Sequence, residues 1–258
     1  MKRITTKSLL VMCCAYMMSS FGFAAPFGFD RPGEGMSTAV VPKARLAWEQ
    51  SLPSASYDEF YENGTKNSVL SLQSDVLLRL GVGADTELRL GWDGAVWERH
   101  KQAGIATEND GVGDVSIGIK RAINTHDDDF SWAILAQVNL ANGDDDFTVE
   151  KKIYTLGSAV DYQWNDVIST NMTMYYDWQD GDLAWSAIPG LQYQISDNVS
   201  GFAEYIYRKQ ESQKSESVVN NGVLWSINDR LQADVSIGYS FTEAQPKYLA
   251  GMGIAYLF

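Results

Sequence analysis

Charged residues recur at every second position along several stretches of this chain, and that spacing suits them to line a water-filled path. Lys43, Arg45 and Glu49 alternate in one stretch, Asp75 and Arg79 in a second, and Glu87, Arg89 and Asp93 in a third. Asp114, Lys120, Asp161, Asp177, Glu204, Arg208 and Asp234 stand in comparable alternation further on. Successive side chains of a β-strand point to opposite faces, so in strands these groups share one face and their neighbours the other. Two kinds of chemistry fit: charge rings that select solutes in a pore, or ion pairs that join strands across a filled interior. Asp114 and Asp234 each follow a turn and open an inward row. Their ordinary expected role is to accept hydrogen bonds from lumen partners such as Lys120 or Arg208.

Catalytic chemistry is poorly supplied. The histidines are His100 and His126. The strand pattern below puts them at opposite rims, about 30 Å apart for a tilted 12-residue strand. A Ser–His pair needs hydrogen-bond reach, so they cannot share a site. His100 with Glu98 or Asp110 leaves only a remote rim-hydrolase reading, and no G-x-S-x-G accompanies it. Phosphate-loop and His/Cys metal patterns are also missing from the sequence. The chain therefore reads as a non-enzyme without cofactor or metal. The runs Asp127-Asp128-Asp129 and Asp144-Asp145-Asp146 offer oxygen ligands for a divalent cation. Without a glycine-spaced loop around them, they are expected to be solvated turns.

The elements that must hold the charged rows are long strands. The stretch Tyr248 to Phe258, YLAGMGIAYLF, alternates a large, mostly apolar set (Tyr248, Met252, Ile254, Tyr256, Phe258) with a slim set that includes Gly251, Gly253 and Ala255. Leu231, Val235, Ile237 and Tyr239 alternate with Gln232, Asp234, Ser236 and Gly238 in the same way. Twelve strands are expected, at 39–51, 68–81, 86–98, 112–123, 130–141, 150–164, 167–179, 183–195, 198–210, 216–227, 230–242 and 247–258. Each exceeds the roughly 9–11 residues that cross a bilayer at a tilt, and each is about twice the length usual in a soluble sandwich. Connections alternate between short turns and a set that tends to be longer and more polar (52–67, 99–111, 142–149, 211–215, with 180–182 and 243–246 as short exceptions), the asymmetry of outer-membrane barrels. Asn165, Asp197 and Asp229 mark a hairpin repeat. Loop 52–67, with Tyr57, Phe60 and Tyr61, is expected either to be exposed or to fold inward as a lid.

Composition agrees. Residues 1–24 read as a cleaved signal peptide: Lys2, Arg3 and Lys7, an apolar core, then small residues before the cut. Met12 before Cys13 argues against lipoprotein processing. Both cysteines leave with this segment, as do three basic residues. The mature chain then has 17 Lys and Arg against 33 Asp and Glu, a net charge of −16, which argues against nucleic acid as a partner. The full sequence holds 8 Trp, 13 Tyr and 10 Phe, of which only Tyr16, Phe21 and Phe23 fall in the cleaved segment, and the rest suit the aromatic girdles of a membrane barrel. Trp48, Trp92, Trp164, Trp178, Trp185, Tyr176 and Tyr207 are placed for such girdles. Residues 25–37, rich in Gly and Pro, read as a periplasmic lead-in, and 38–258 as an all-β, up-and-down antiparallel barrel of about twelve strands.

Several stretches resemble a known family. Gly111 to Lys120, GVGDVSIGIK, is similar to its GxGD-x-x-x-G-x-K strand, and Leu135 to Gly143, LAQVNLANG, to the strand and loop that follow. Asn228 to Asp234 resembles its turn-plus-strand ending in Asp, and Gly251 to Phe258 its final strand. The family is that of transporter-like outer-membrane proteins described as "putative MetA-pathway of phenol degradation". Its usual loop reads closer to Pro-Thr-Gly where this chain has Ala141-Asn142-Gly143. Tyr256 and Phe258 resemble the sorting signal read by the barrel-assembly machinery. The resemblance implies a bacterial outer-membrane barrel, in contact with outer-membrane lipids, that passes small, often aromatic or apolar, molecules. The competing expectation is a sealed barrel with a structural or adhesive role.

Overall fold

The computed structural model describes residues 27–62, 64–83, 85–211, 213–241 and 247–258. The expected signal peptide lies outside the described residues. The elements are β1 Leu46–Ser51, β2 Ser54–Glu62, β3 Thr65–Gly83, β4 Thr86–Gln102, β5 Ile105–Val112, β6 Val115–Ile123, β7 Phe130–Asn139, β8 Ile153–Gln163, β9 Ile168–Gln179, β10 Asp182–Ser196, β11 Val199–Gln210, β12 Glu216–Asn228, β13 Leu231–Ser240 and β14 Lys247–Leu257. All pairings are antiparallel, and β1 pairs with β14 to close a cylinder. β1 and β2 run on from one another between β14 and β3, broken only at Leu52-Pro53. β5 and β6 share β4 as partner and break at Gly113-Asp114. Among the described residues, fourteen strands therefore fill twelve wall positions, the number expected from the sequence.

Alternation holds around the wall. Leu88, Leu90, Ile117, Ile119, Val235 and Ile237 stand exposed on the outer face. On the alternate rows Glu87, Arg89, Lys120, Gln232 and Asp234 are buried toward the lumen. A cylinder suits this pattern because every backbone polar group in the wall finds a partner while the apolar residues meet lipid. Aromatic side chains gather toward the strand ends. Tyr162 and Trp164 stack edge-on at one rim, as do Tyr256 and Phe258; Tyr239 meets Phe241 and Tyr248 toward the other.

Two irregular strands have local explanations. Pro189 sits in β10 opposite Met172 of β9, but the ladder to β11 passes from Ala187↔Tyr207 to Gly190↔Glu204. The missing proline N–H thus falls where no rung is made. In β12 the Asn220-Asn221 pair splits between faces. Asn220 turns inward and its Nδ2 donates to Glu204 Oε1 at 2.9 Å.

The structure corrects four expectations. The first strand starts at Leu46, not at 39. The loop 52–67 is a hairpin of β2 and β3, with Tyr57 opposite Tyr248 of β14 as part of the wall and not a lid. The loop 99–111 is likewise a hairpin, in which β4 and β5 turn at Ala103-Gly104, both with positive φ. His100 therefore lies in a strand, with Nε2 2.9 Å from Glu98 Oε2. Finally, the stretch expected as a periplasmic lead-in enters the barrel.

Candidate functional site: a chain segment inside the lumen

Residues 27–45 form no strand. They cross the lumen, turn and come back to β1, touching wall strands on all sides. The Asp30 and Arg31 amides both donate to Glu49 Oε2 of β1 at 2.9 Å. Glu34 N and Gly35 N donate to Glu204 of β11 at 2.9 and 3.4 Å. Met36 N reaches Thr173 Oγ1 of β9 at 3.2 Å, and Thr38 Oγ1 meets Ser131 Oγ of β7 at 2.7 Å. Val41 N donates to Glu87 Oε2 of β4 at 2.8 Å. A segment without secondary structure must satisfy its backbone groups elsewhere, and here inward polar side chains of the wall do so.

Apolar contacts anchor both limbs. Met36 packs on Leu135, Ala159 and Tyr175. Phe27 and Phe29 pack with Val41, Ala47 and Leu257 near the rim where the chain enters. Glycines stand where the segment and the wall come close. Gly33 has φ +108°, and a Cβ there would lie 2.8 Å from Glu204 Oε2. On the wall, a Cβ at Gly253 would lie 2.2 Å from the Arg31 guanidinium. The slim inward face of the last strand is the bed on which Arg31 lies.

The charged rows now have assigned places. Glu49, Arg79, Glu87, Arg89 and Lys120 converge from β1, β3, β4 and β6 into one buried cluster, completed by Asp30 of the segment. Arg79 Nη1 is 2.8 Å from Glu49 Oε1, and its Nε is 2.9 Å from Glu87 Oε1. Its remaining N–H groups reach the Gly28 and Ala39 carbonyls of the segment at 3.2 and 2.9 Å. The Phe27 ring lies 4.9 Å from the guanidinium carbon. Burying so many charges is tolerable only because each faces opposite charge and hydrogen-bond partners.

Next along the segment, Arg31 meets Asp234 of β13 at 3.2 Å and Asp75 of β3 at 3.7 Å. Asp234 thus pairs with the segment and not with Lys120 or Arg208. Asp177 takes Thr155 Oγ1 at 2.6 Å and lies 3.7 Å from Arg208. Asp93 and Asp161 also face inward.

Three of the expected site residues lie elsewhere. Lys43 is exposed in the turn before β1, and Arg45 donates to the Phe258 carbonyl at 3.1 Å. Both belong to the rim, because the strand that was to carry them begins later. Asp114 is buried at the break between β5 and β6 and serves the following loop. Its Oδ1 accepts the Asn142 and Gly143 amides, each at 2.7 Å, and Thr148 Oγ1 at 2.9 Å, while Oδ2 accepts Val149 N at 2.9 Å. Burial alone would push this carboxyl up. The four bonds outweigh it and hold the group below the usual carboxylate range. Asp144 completes the tie by accepting Val112 N at 2.9 Å.

The residues that sequence reasoning missed are those of the segment, Asp30 and Arg31 above all. The available signal was an adjacent acid–base pair in a stretch otherwise rich in Gly and Pro.

Comparison with known proteins agrees with this architecture. Residues 29–258 match the family described as "Putative MetA-pathway of phenol degradation". No curated protein sequence matches the chain. Among solved structures it is similar to the COG4313 outer membrane channel from Pseudomonas putida F1, with TM-score 0.62 and 11% identity over 88% of this chain and 99% of that one. The translocator domain of the autotransporter NalP from Neisseria meningitidis aligns with TM-score 0.56 and 11% identity, covering 97% of each chain. The CymD monoaromatic hydrocarbon channel aligns with TM-score 0.50 and 9% identity over 84% of this chain and 89% of that one.

Proposed function

The chain belongs to the family described as "Putative MetA-pathway of phenol degradation", and from that premise we propose that it is a non-enzymatic channel of the bacterial outer membrane. It passes small molecules passively, through a lumen that its own segment 27–45 restricts. One observation carries the reading. The interior is occupied by a separate run of chain, bound by hydrogen bonds, ion pairs and two small apolar contacts. A wall built only to be sealed needs no such inserted length, since inward side chains can fill a small barrel. A stopper held by reversible contacts leaves the bore available when it shifts. Aromatic compounds are the first solutes to test, given the family's description and the hydrocarbon channel among the structural relatives. His100, paired with Glu98 on an exposed strand extension, and His126, in a turn, form no shared site.

The test is single-channel conductance in planar bilayers with solute flux into proteoliposomes. The native chain is expected to give small, infrequent openings. Arg31→Ala combined with Glu204→Gln, which cuts the segment's hold on β13 and β11, is expected to raise the open fraction several-fold. No current and no flux from either protein, folded and inserted, would return the barrel to a structural or adhesive role.

A further inference from the structure

Asp30 occupies what is, without it, a binding site for a carboxylate. Its Oδ1 lies 3.3 Å from Arg79 Nη1 and 3.3 Å from Lys120 Nζ, and it accepts Ser37 N at 3.0 Å. Its Oδ2 pairs with Arg89 Nη1. Three cations from three different wall strands, all of which also meet Glu87 of the wall, thus converge on a second carboxylate that the wall does not supply. The wall part of the cluster carries Arg79, Arg89 and Lys120 against Glu49 and Glu87, so it holds one positive charge in excess when Asp30 is absent. A second observation is independent of Asp30. The Nε–H of Arg89 is buried and has no acceptor among the described residues. Such an orphan donor is costly, and Asp30, tethered to its backbone, leaves it unused. An untethered carboxylate has the freedom to take a second donor of the same guanidinium.

We infer that the basic quadrant formed by Arg79, Arg89 and Lys120 binds the carboxylate of a transported solute, and that Asp30 is an internal stand-in for that group which the solute displaces. The inference rests on the channel reading and narrows it to small organic acids, aromatic carboxylates among them. Displacing Asp30 also removes the segment's tie to Arg79, Arg89 and Lys120, so binding loosens the stopper at that point while its holds on Glu49, Glu204 and Asp234 remain. Competition sets the requirement on the ligand. A neutral molecule of the same shape cannot replace the lost charge pairing, whereas an acid can.

Acetate reproduces the side chain removed by Asp30→Gly, which makes rescue a direct test. In the full mature chain this variant is expected to melt below its parent. Sodium acetate is expected to restore the midpoint saturably, beyond sodium chloride at equal ionic strength, and to leave the parent unchanged. Arg89→Gln or Lys120→Gln added to Asp30→Gly is expected to abolish the discrimination. Should Asp30→Gly not fold unaided, the refolded yield in acetate against chloride reads the same property. Acetate no better than chloride overturns the inference. Proteoliposome flux of benzoate against benzyl alcohol through Asp30→Gly then separates the two claims. Acetate rescue without flux of either solute keeps the site and sinks the channel. Equal flux of both solutes without rescue keeps the channel and sinks the site.

Discussion

Arginine meets carboxylate on two sides of this lumen, with very different results. Arg79, on β3, is fully buried and wedged between Glu49, Glu87, Asp30 and two carbonyls of the inserted segment. Arg208, on β11, has a side chain 45% exposed and lies 3.7 Å from Asp177. Both face inward on regular strands. The difference is the segment, which lies against one and not the other. It excludes water around Arg79, where pairing becomes obligatory, and leaves Arg208 in a wet part of the bore, where pairing is optional. A charged row on a barrel wall is therefore structural or selective according to what covers it.

The comparison can be broken by substitution. The largest effect is expected at Arg79. Arg79→Ala leaves buried Glu49 with only the Asp30 and Arg31 amides and Glu87 with Arg89 and Lys120, and losing one partner of such a network costs about 3–5 kcal/mol. Urea unfolding in detergent micelles measures it. Arg79→Lys is expected to recover little, because an ammonium cannot reproduce the guanidinium fork.

Asp114→Ala comes next. It removes the acceptor of four hydrogen bonds, each to a charged oxygen, a type worth about 1.5–3 kcal/mol apiece in closed surroundings. The loss is local, so the expected signature is faster amide exchange and proteolysis over 140–149 with the barrel intact. Because the Asp114 carboxyl is held below its ordinary range, its contribution is full above the unfolded-state pKa and fades as pH falls through the lower folded value. The loop should therefore stay closed at pH 5 and loosen only in stronger acid. Loosening already at pH 5 to 6 would show that another group controls it.

The smallest stability effect is expected from Arg208→Ala, under about 1 kcal/mol, as for an exposed pair. Its effect on the reversal potential in a salt gradient should exceed that of the buried Arg79, since this side chain is exposed in the bore.

The wall was legible from the chain alone because a period of two residues is a local signal. Leu231 to Thr242 and Ile168 to Gln179 announce their faces without help from distant residues. The breaks were not legible. Asp110 to Asp114 changes from an exposed edge to a buried loop anchor within five residues, and only the docked loop 142–149 explains it. Nor was the segment. Residues 27–45 have no periodicity, and their partners lie as far away as Asp234. The inward charges were recognisable as inward, but what they pair with depends on a run of chain that local patterns treat as a linker. Lys43 and Arg45 were misplaced for the same reason, since the strand was extended back into residues that have left the wall.

Glu49 belongs to two structures at once. Its backbone pairs with Ala255 across the junction where the first and last strands meet, while its carboxylate holds the amides of Asp30 and Arg31. Any pull that draws the inserted run outward is thus borne first by the stitching that keeps the cylinder shut.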